Sequence, residues 1–137
     1  VNINDNIIPQ IGGVLENGFC TEEDKIMFET NKILNTNIHL VATTVRVPVS
    51  YCHGESVYVK FENKIDLDDI KNILKCDYVE VCDELVYPEN CLTSNNTYVY
   101  RLRKCGDNEI VFFNLANNLR RGAAYNAIAI LRKLMGI

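Results

Sequence analysis

Apolar residues in the first twenty positions follow no period. Ile7, Ile8 and their neighbours are broken up by Pro9, Gly12, Gly13 and Gly18, which predicts a loop-rich entry with one short strand. Thr21 followed by Glu22, Glu23 and Asp24 reads as a helix start, with the Thr21 hydroxyl capping free amides and carboxylates facing the positive end of the dipole. The helix runs to about Leu34 and stops at Asn35-Thr36-Asn37. The β-branched run from Ile38 to Val49 predicts a strand, and the alternation from Ser56 to Phe61 predicts another. Asp66 caps a second helix with Leu67, Ile70, Ile73 and Leu74 on one face, and Tyr78 to Val81 is a further strand. Tyr87 to Asn96 reads as a surface loop. Tyr98–Leu102 and Ile110–Phe113 flank Gly106, Asp107 and Asn108 as a hairpin. The last helix starts near Asn118, with Leu119, Ala123, Ala127, Ile130, Leu131 and Leu134 on its apolar face.

Helix, strands, helix, strand, hairpin, helix is not a strict alternation. The order predicts an α+β fold, with a mixed, largely antiparallel sheet covered by helices on one face.

Composition adds little to that picture but excludes some partners. With 137 residues, 47% hydrophobic and 23% charged, the chain has the makeup of a domain that buries one core. A net charge of -4 with no stripe of Lys or Arg argues against nucleic acid. No apolar run approaches the roughly 20 residues that span a bilayer, and no basic-then-apolar leader opens the chain. The expectation is a cytoplasmic chain with no membrane partner. Because it opens on Val1 and not Met, it also reads as truncated. Six cysteines without a Cys-x-x-Cys pair read as reduced, mostly buried thiols, and no metal site is expected.

Four places could carry chemistry. Arg46 lies within Val-Ala-Thr-Thr-Val-Arg-Val-Pro-Val, on the strand face shared by Thr44 and Pro48 and opposite Val45, Val47 and Val49. It is either a solvated strand arginine or a guanidinium that grips a carboxylate through two parallel hydrogen bonds. His53, in Tyr-Cys-His-Gly-Glu-Ser, sits in a break between strands, as a surface residue or as an imidazole titrating near neutral pH. Cys52 precedes it, but neighbours on an extended chain point to opposite faces and should not meet. Glu22 and Lys25 share one face of a helix's first turn, as an exposed ion pair or as ligands beside free amides. Asn118 opens Asn-Leu-Arg-Arg-Gly-Ala-Ala, as a plain helix cap or as an approach for a flat ring over small residues.

Together these segments resemble the aspartate-semialdehyde dehydrogenase family from about Ile8 to Leu134. The segments that carry the likeness are Ile8–Gly12 with Leu15–Gly18, Thr21–Lys25, Glu29–Leu34, Ala42–Val49, His53–Val57 and Asn118–Asn126. The most specific is Arg46-Val47-Pro48-Val49 with a histidine seven positions after the arginine. The resemblance implies that Arg46 binds the substrate carboxylate and that His53 is the general acid/base. It further implies that Glu22 contacts the substrate amino group, Lys25 the phosphate, and Asn118 the nicotinamide end of NADP.

The implied reaction is NADPH-dependent reductive dephosphorylation of aspartyl-4-phosphate to aspartate semialdehyde through a cysteine thioester, on the way to lysine, threonine and methionine. The implied fold is that family's substrate-binding and dimerisation domain over residues 1–116. A helix over 117–137 would return to a nucleotide-binding domain, and the assembly would be a homodimer. N-acetyl-glutamyl-phosphate reductase has a similar layout, and a non-catalytic dimerisation module is the reading from another class. Gly54 stands where the family usually has serine, which would loosen the loop around His53. Neither the dinucleotide loop nor the nucleophilic cysteine's context occurs in the chain, which alone is expected to be inactive.

Overall fold

The computed structural model describes residues 2–137. The chain forms two compact units, Val1–Pro48 and Val49–Ile137.

The first unit is organised around α1 (Thr21–Leu34). Its N-cap is Cys20 and not Thr21, which is already the first helical residue. Glu23 reaches back three residues and accepts the Cys20 N–H at 2.9 Å, the reciprocal half of a capping box. At its other end Asn35 takes a left-handed conformation (φ 50°), and Asn31 clasps Ile38 by accepting its N–H and donating to its carbonyl.

The expected strand from 38 to 49 does not form a ladder. Arg46 exchanges two backbone hydrogen bonds with Ile8 (2.8 and 3.0 Å), and this is an isolated bridge. β-branched residues keep a segment extended, but a sheet needs a neighbour of similar length, and the entry offers the single position Ile8. The segment shows no alternation of burial: Thr44 is buried, whereas both the valines and Arg46 and Pro48 are exposed.

The second unit is a four-stranded sheet in the order β1-β4-β3-β2, built from β1 (His53–Lys60), β2 (Val79–Cys82), β3 (Thr97–Gly106) and β4 (Glu109–Ala116). The β1·β4 and β3·β4 pairs are antiparallel and β2·β3 is parallel. The mixed, largely antiparallel α+β fold is therefore as expected. The hairpin is longer than the two short runs suggested and turns through Asp107-Asn108. β3 carries a bulge after Tyr100, where Arg101 has a positive φ of 54°.

α2 (Leu67–Leu74) packs against β2 and is capped by Asp66, which accepts from the Asp68 and Asp69 amides. Ile73 leaves its expected face and points to solvent, while Leu67, Ile70 and Leu74 are half-buried. The segment expected as a surface loop holds a 3₁₀ turn, Pro88–Cys91, and Cys91 is fully buried beside Tyr100 and Leu115. Burial, then the nearby thiols of Cys52 and Cys82, push the Cys91 thiol up to about 12. All six cysteines are free.

The C-terminal segment begins with a π turn, Arg120–Ala124, and continues as α3 (Tyr125–Met135). It starts near Asn118, as expected, but the side chain that holds its first amides is that of Asn117. Asn117 is buried, its oxygen accepts the Leu119 and Arg120 amides, and its amide donates to the carbonyls of Cys91 and Leu92. Arg121 lies over the Tyr78 ring at 4.6 Å, and Tyr125 meets that ring edge-on. The expected apolar face is exposed instead: Ile130, Leu131 and Leu134 all face solvent.

Candidate functional site

In the first unit, Glu22 and Lys25 fall in the first turn of α1, one turn apart, and pair at 3.6 Å. Both are open to solvent at 39% and 54%, so the pair itself adds little stability and is free to exchange for a ligand. The segment that leads to Arg46 is tied to α1 by its backbone. Glu23, the neighbour of Glu22, accepts the Thr44 N–H at 2.8 Å as well as the Cys20 N–H, and those two bonds hold its carboxyl below the usual carboxylate range. The chain is thus tied to α1 two residues before Arg46. Arg46 is exposed, and among the described residues its guanidinium has no carboxylate partner. The first unit thus carries an exposed guanidinium, an ammonium and a carboxylate, the groups that recognise a small anion bearing an amine.

In the second unit, His53 is not in a break between strands but is the first residue of β1, paired with Ala116 of β4. The residue before it is bent. Cys52 has φ 76°, a left-handed conformation rare for a side chain with a Cβ, and the Asn118 side chain holds it there by accepting the Cys52 N–H at 3.2 Å. The Cys52 thiol turns to the core and donates to Pro88 O, whereas the His53 ring is exposed. Cysteine and histidine do point apart, as expected. His53 and Asn118 are thereby linked through one peptide unit.

Gly54 corrects another expectation. It lies inside β1 and loosens no loop: a Cβ there would come within 2.8 Å of the Phe113 ring, which packs on Tyr100 in the core. Glycine is the residue that lets this aromatic lie flat on the strand beside the histidine.

Sequence reading missed Glu55. It lies on the same strand face as His53, two residues on, and its Oε1 meets the imidazole Nε2 at 3.1 Å. Its Oε2 accepts from Asn114 Nδ2 at 2.8 Å, from the residue directly opposite on β4. The imidazole, then the Asn114 amide, hold the Glu55 carboxyl below the usual range against the opposing effect of burial. The i, i+2 spacing of histidine and carboxylate in an alternating strand was the available signal. Two shallow concavities lie elsewhere, one of about 380 Å³ against Cys82, Leu85 and Tyr98, the other of about 580 Å³ along α1 at Met27, Phe28 and Asn31.

The second unit is thus a mixed α+β sheet with a bulged hairpin and an imidazole opening its edge strand, and the first unit is a helix terminus bearing a carboxylate and an ammonium. Residues 1–121 match the family described as semialdehyde dehydrogenase, dimerisation domain, and the chain belongs to that family. It is 41% identical over 136 residues to the aspartate-semialdehyde dehydrogenase of Campylobacter jejuni, covering 93% of this chain and 40% of that protein. A crystal structure of aspartate semialdehyde dehydrogenase II from Vibrio cholerae, complexed with ASA, superposes with a TM-score of 0.88 at 34% identity. It covers 96% of this chain and 41% of that one. The Candida albicans enzyme, solved with NADP, shares the fold with a TM-score of 0.72 at 24% identity, over 96% of this chain and 45% of that one. The chain thus spans about two fifths of the length of the relatives it matches.

Proposed function

We propose that this chain is the substrate-binding and dimerising portion of an aspartate-semialdehyde dehydrogenase. The complete enzyme would reduce aspartyl-4-phosphate to aspartate 4-semialdehyde with release of phosphate, in the pathway to lysine, threonine and methionine. The observation that carries this reading is the likeness, over more than nine tenths of the chain, to a protein of that name. In this reading Arg46 grips the α-carboxylate with its planar fork, and Glu22 accepts from the substrate ammonium. Lys25 offsets the phosphate charge, and His53 takes and returns protons at the reacting carbonyl. The exposed guanidinium and the open Glu22·Lys25 pair support these roles, because each has donors or acceptors to give a ligand.

NADPH would supply the hydride. Asn118 would approach its nicotinamide end: the side chain is exposed, its oxygen is taken by the Cys52 amide, and its NH₂ could donate there. Residues 1–116 would form the substrate and dimerisation part, and 117–137 would return to a nucleotide-binding domain. The apolar side chains that α3 leaves open support that division. The enzyme would be a cytoplasmic homodimer; among the described residues no helix is long and apolar enough to cross a membrane.

Kinetics on the complete gene product test the roles. Arg46→Ala is expected to lower kcat/KM by on the order of 10²–10³, chiefly through KM for the carboxylate substrate. His53→Gln is expected to lower kcat by about 10²–10⁴ with little change in KM. Unchanged turnover in His53→Gln would remove the acid/base assignment, and unchanged KM in Arg46→Ala would remove the carboxylate grip.

A further inference from the structure

We propose that Glu55, itself fixed by Asn114, is a positioning residue that orients the His53 imidazole and strengthens its hold on a proton; this rests on the acid/base reading of His53. Three observations converge on it. His53, Glu55, Asn114 and Ala116 share one face of the β1·β4 pair, because residues two apart on a strand do so and the register sets 53 against 116 and 55 against 114. Glu55 uses both oxygens, Oε1 at 3.1 Å to the imidazole and Oε2 at 2.8 Å to the Asn114 amide. The carboxylate is thereby held at two points and presents one oxygen to the ring in a fixed direction. The third observation is chemical. An ionised carboxylate is an acceptor only, so the nitrogen facing it, Nε2, is the one that carries a proton.

The same geometry defines the electrostatics. The residues that the register places opposite the ring and its partner, Ala116 and Asn114, carry no charge, and the Cys52 thiol beside it turns to the other face. Glu55 therefore adds a negative charge next to the imidazole, while Asn114 neutralises none of it. Mutual stabilisation of two charges is reciprocal: an imidazolium that favours the ionised carboxyl is favoured by it in equal measure. This arrangement resembles a carboxylate that orients a catalytic histidine elsewhere, but here it is supplied by neighbours on a strand and its cross-strand partner.

The test reads the ring directly. In the 137-residue chain, ¹⁵N-histidine NMR follows two imidazoles, and His39→Gln assigns the signals. Glu55→Gln is expected to lower the His53 titration midpoint by about half a pH unit, the size an exposed ion pair allows. Asn114→Ala should lower it by less, and Glu55→Asp should restore part of the loss. In the complete enzyme the acidic limb of the kcat/KM profile should move down with it, and kcat should fall several-fold at unchanged KM. An unmoved midpoint in a folded Glu55→Gln chain overturns the proposal, as does a shifted midpoint with an unmoved pH profile. Failure of the underlying reading looks different: His53→Gln would then keep full activity whatever the midpoint does.

Discussion

At the scale of single residues, the neighbourhood of His53 turns on side chains that are small or absent. Gly54 accommodates the Phe113 ring, and Phe113 in turn packs on Tyr100 at 5.3 Å. Gly54→Ser would place a Cβ within van der Waals overlap of an aromatic that has little room to retreat, at a cost of about 1–3 kcal/mol. Chemical denaturation of Gly54→Ser, Phe113→Leu and the double variant measures this. The double variant should be more stable than the sum of the single losses implies, because the smaller side chain makes the space the Cβ needs. Strict additivity would show that ring and glycine are not in conflict. The same residues explain what could be read in advance. His53 and Arg46 stand out in advance because their segments resemble a known family, with the histidine seven positions after the arginine. Glu55 was passed over because a carboxylate on an alternating strand looks like any solvated face until the register puts Asn114 opposite it.

At the scale of elements, what a local rule fixes was legible and what needs a partner was not. Asp66 caps α2 as its sequence position implies, since capping depends on two or three neighbouring amides. The run from Ile38 to Val49 has strand composition yet pairs at one residue, because a ladder depends on a distant neighbour that composition cannot supply. The cap of the last helix was not legible for the same reason. Two asparagines stand side by side, and the tertiary fold uses the first, since only Asn117 reaches the carbonyls of Cys91 and Leu92 while capping the next turn. Asn117→Ala should cost about 2–4 kcal/mol, since it leaves buried backbone groups without partners. Asn118→Ala loses one exposed bond and should cost under about 1.5 kcal/mol. Thermal unfolding of the two variants decides between them, and equal losses would mean that Asn117 does not hold the junction.

At the scale of the molecule, many large apolar side chains of the described chain are open to solvent. In the first unit Ile7, Phe28, Ile33, Val41, Val45 and Val47 are exposed, and in the second α3 presents Ile130, Leu131 and Leu134 to solvent. Such residues scattered singly would need no explanation, but an extended segment of valines and one whole helix face are contiguous surfaces that water disfavours. In the proposed assembly a homodimer would bury a self-complementary patch of each copy, and a nucleotide-binding domain would cover α3. Light scattering on this chain at micromolar concentration should therefore give twice the monomer mass of 15.6 kDa. Because hydrophobic association is strengthened by excluded salts while ion pairing is screened, the dimer should persist or tighten in sulfate. Charging the exposed surface separates its two parts. Leu134→Glu on α3 should leave the mass doubled if that helix face belongs to a nucleotide-binding domain. A monomer from the unmodified chain would remove the dimer, and a monomer from Leu134→Glu alone would move the interface onto α3.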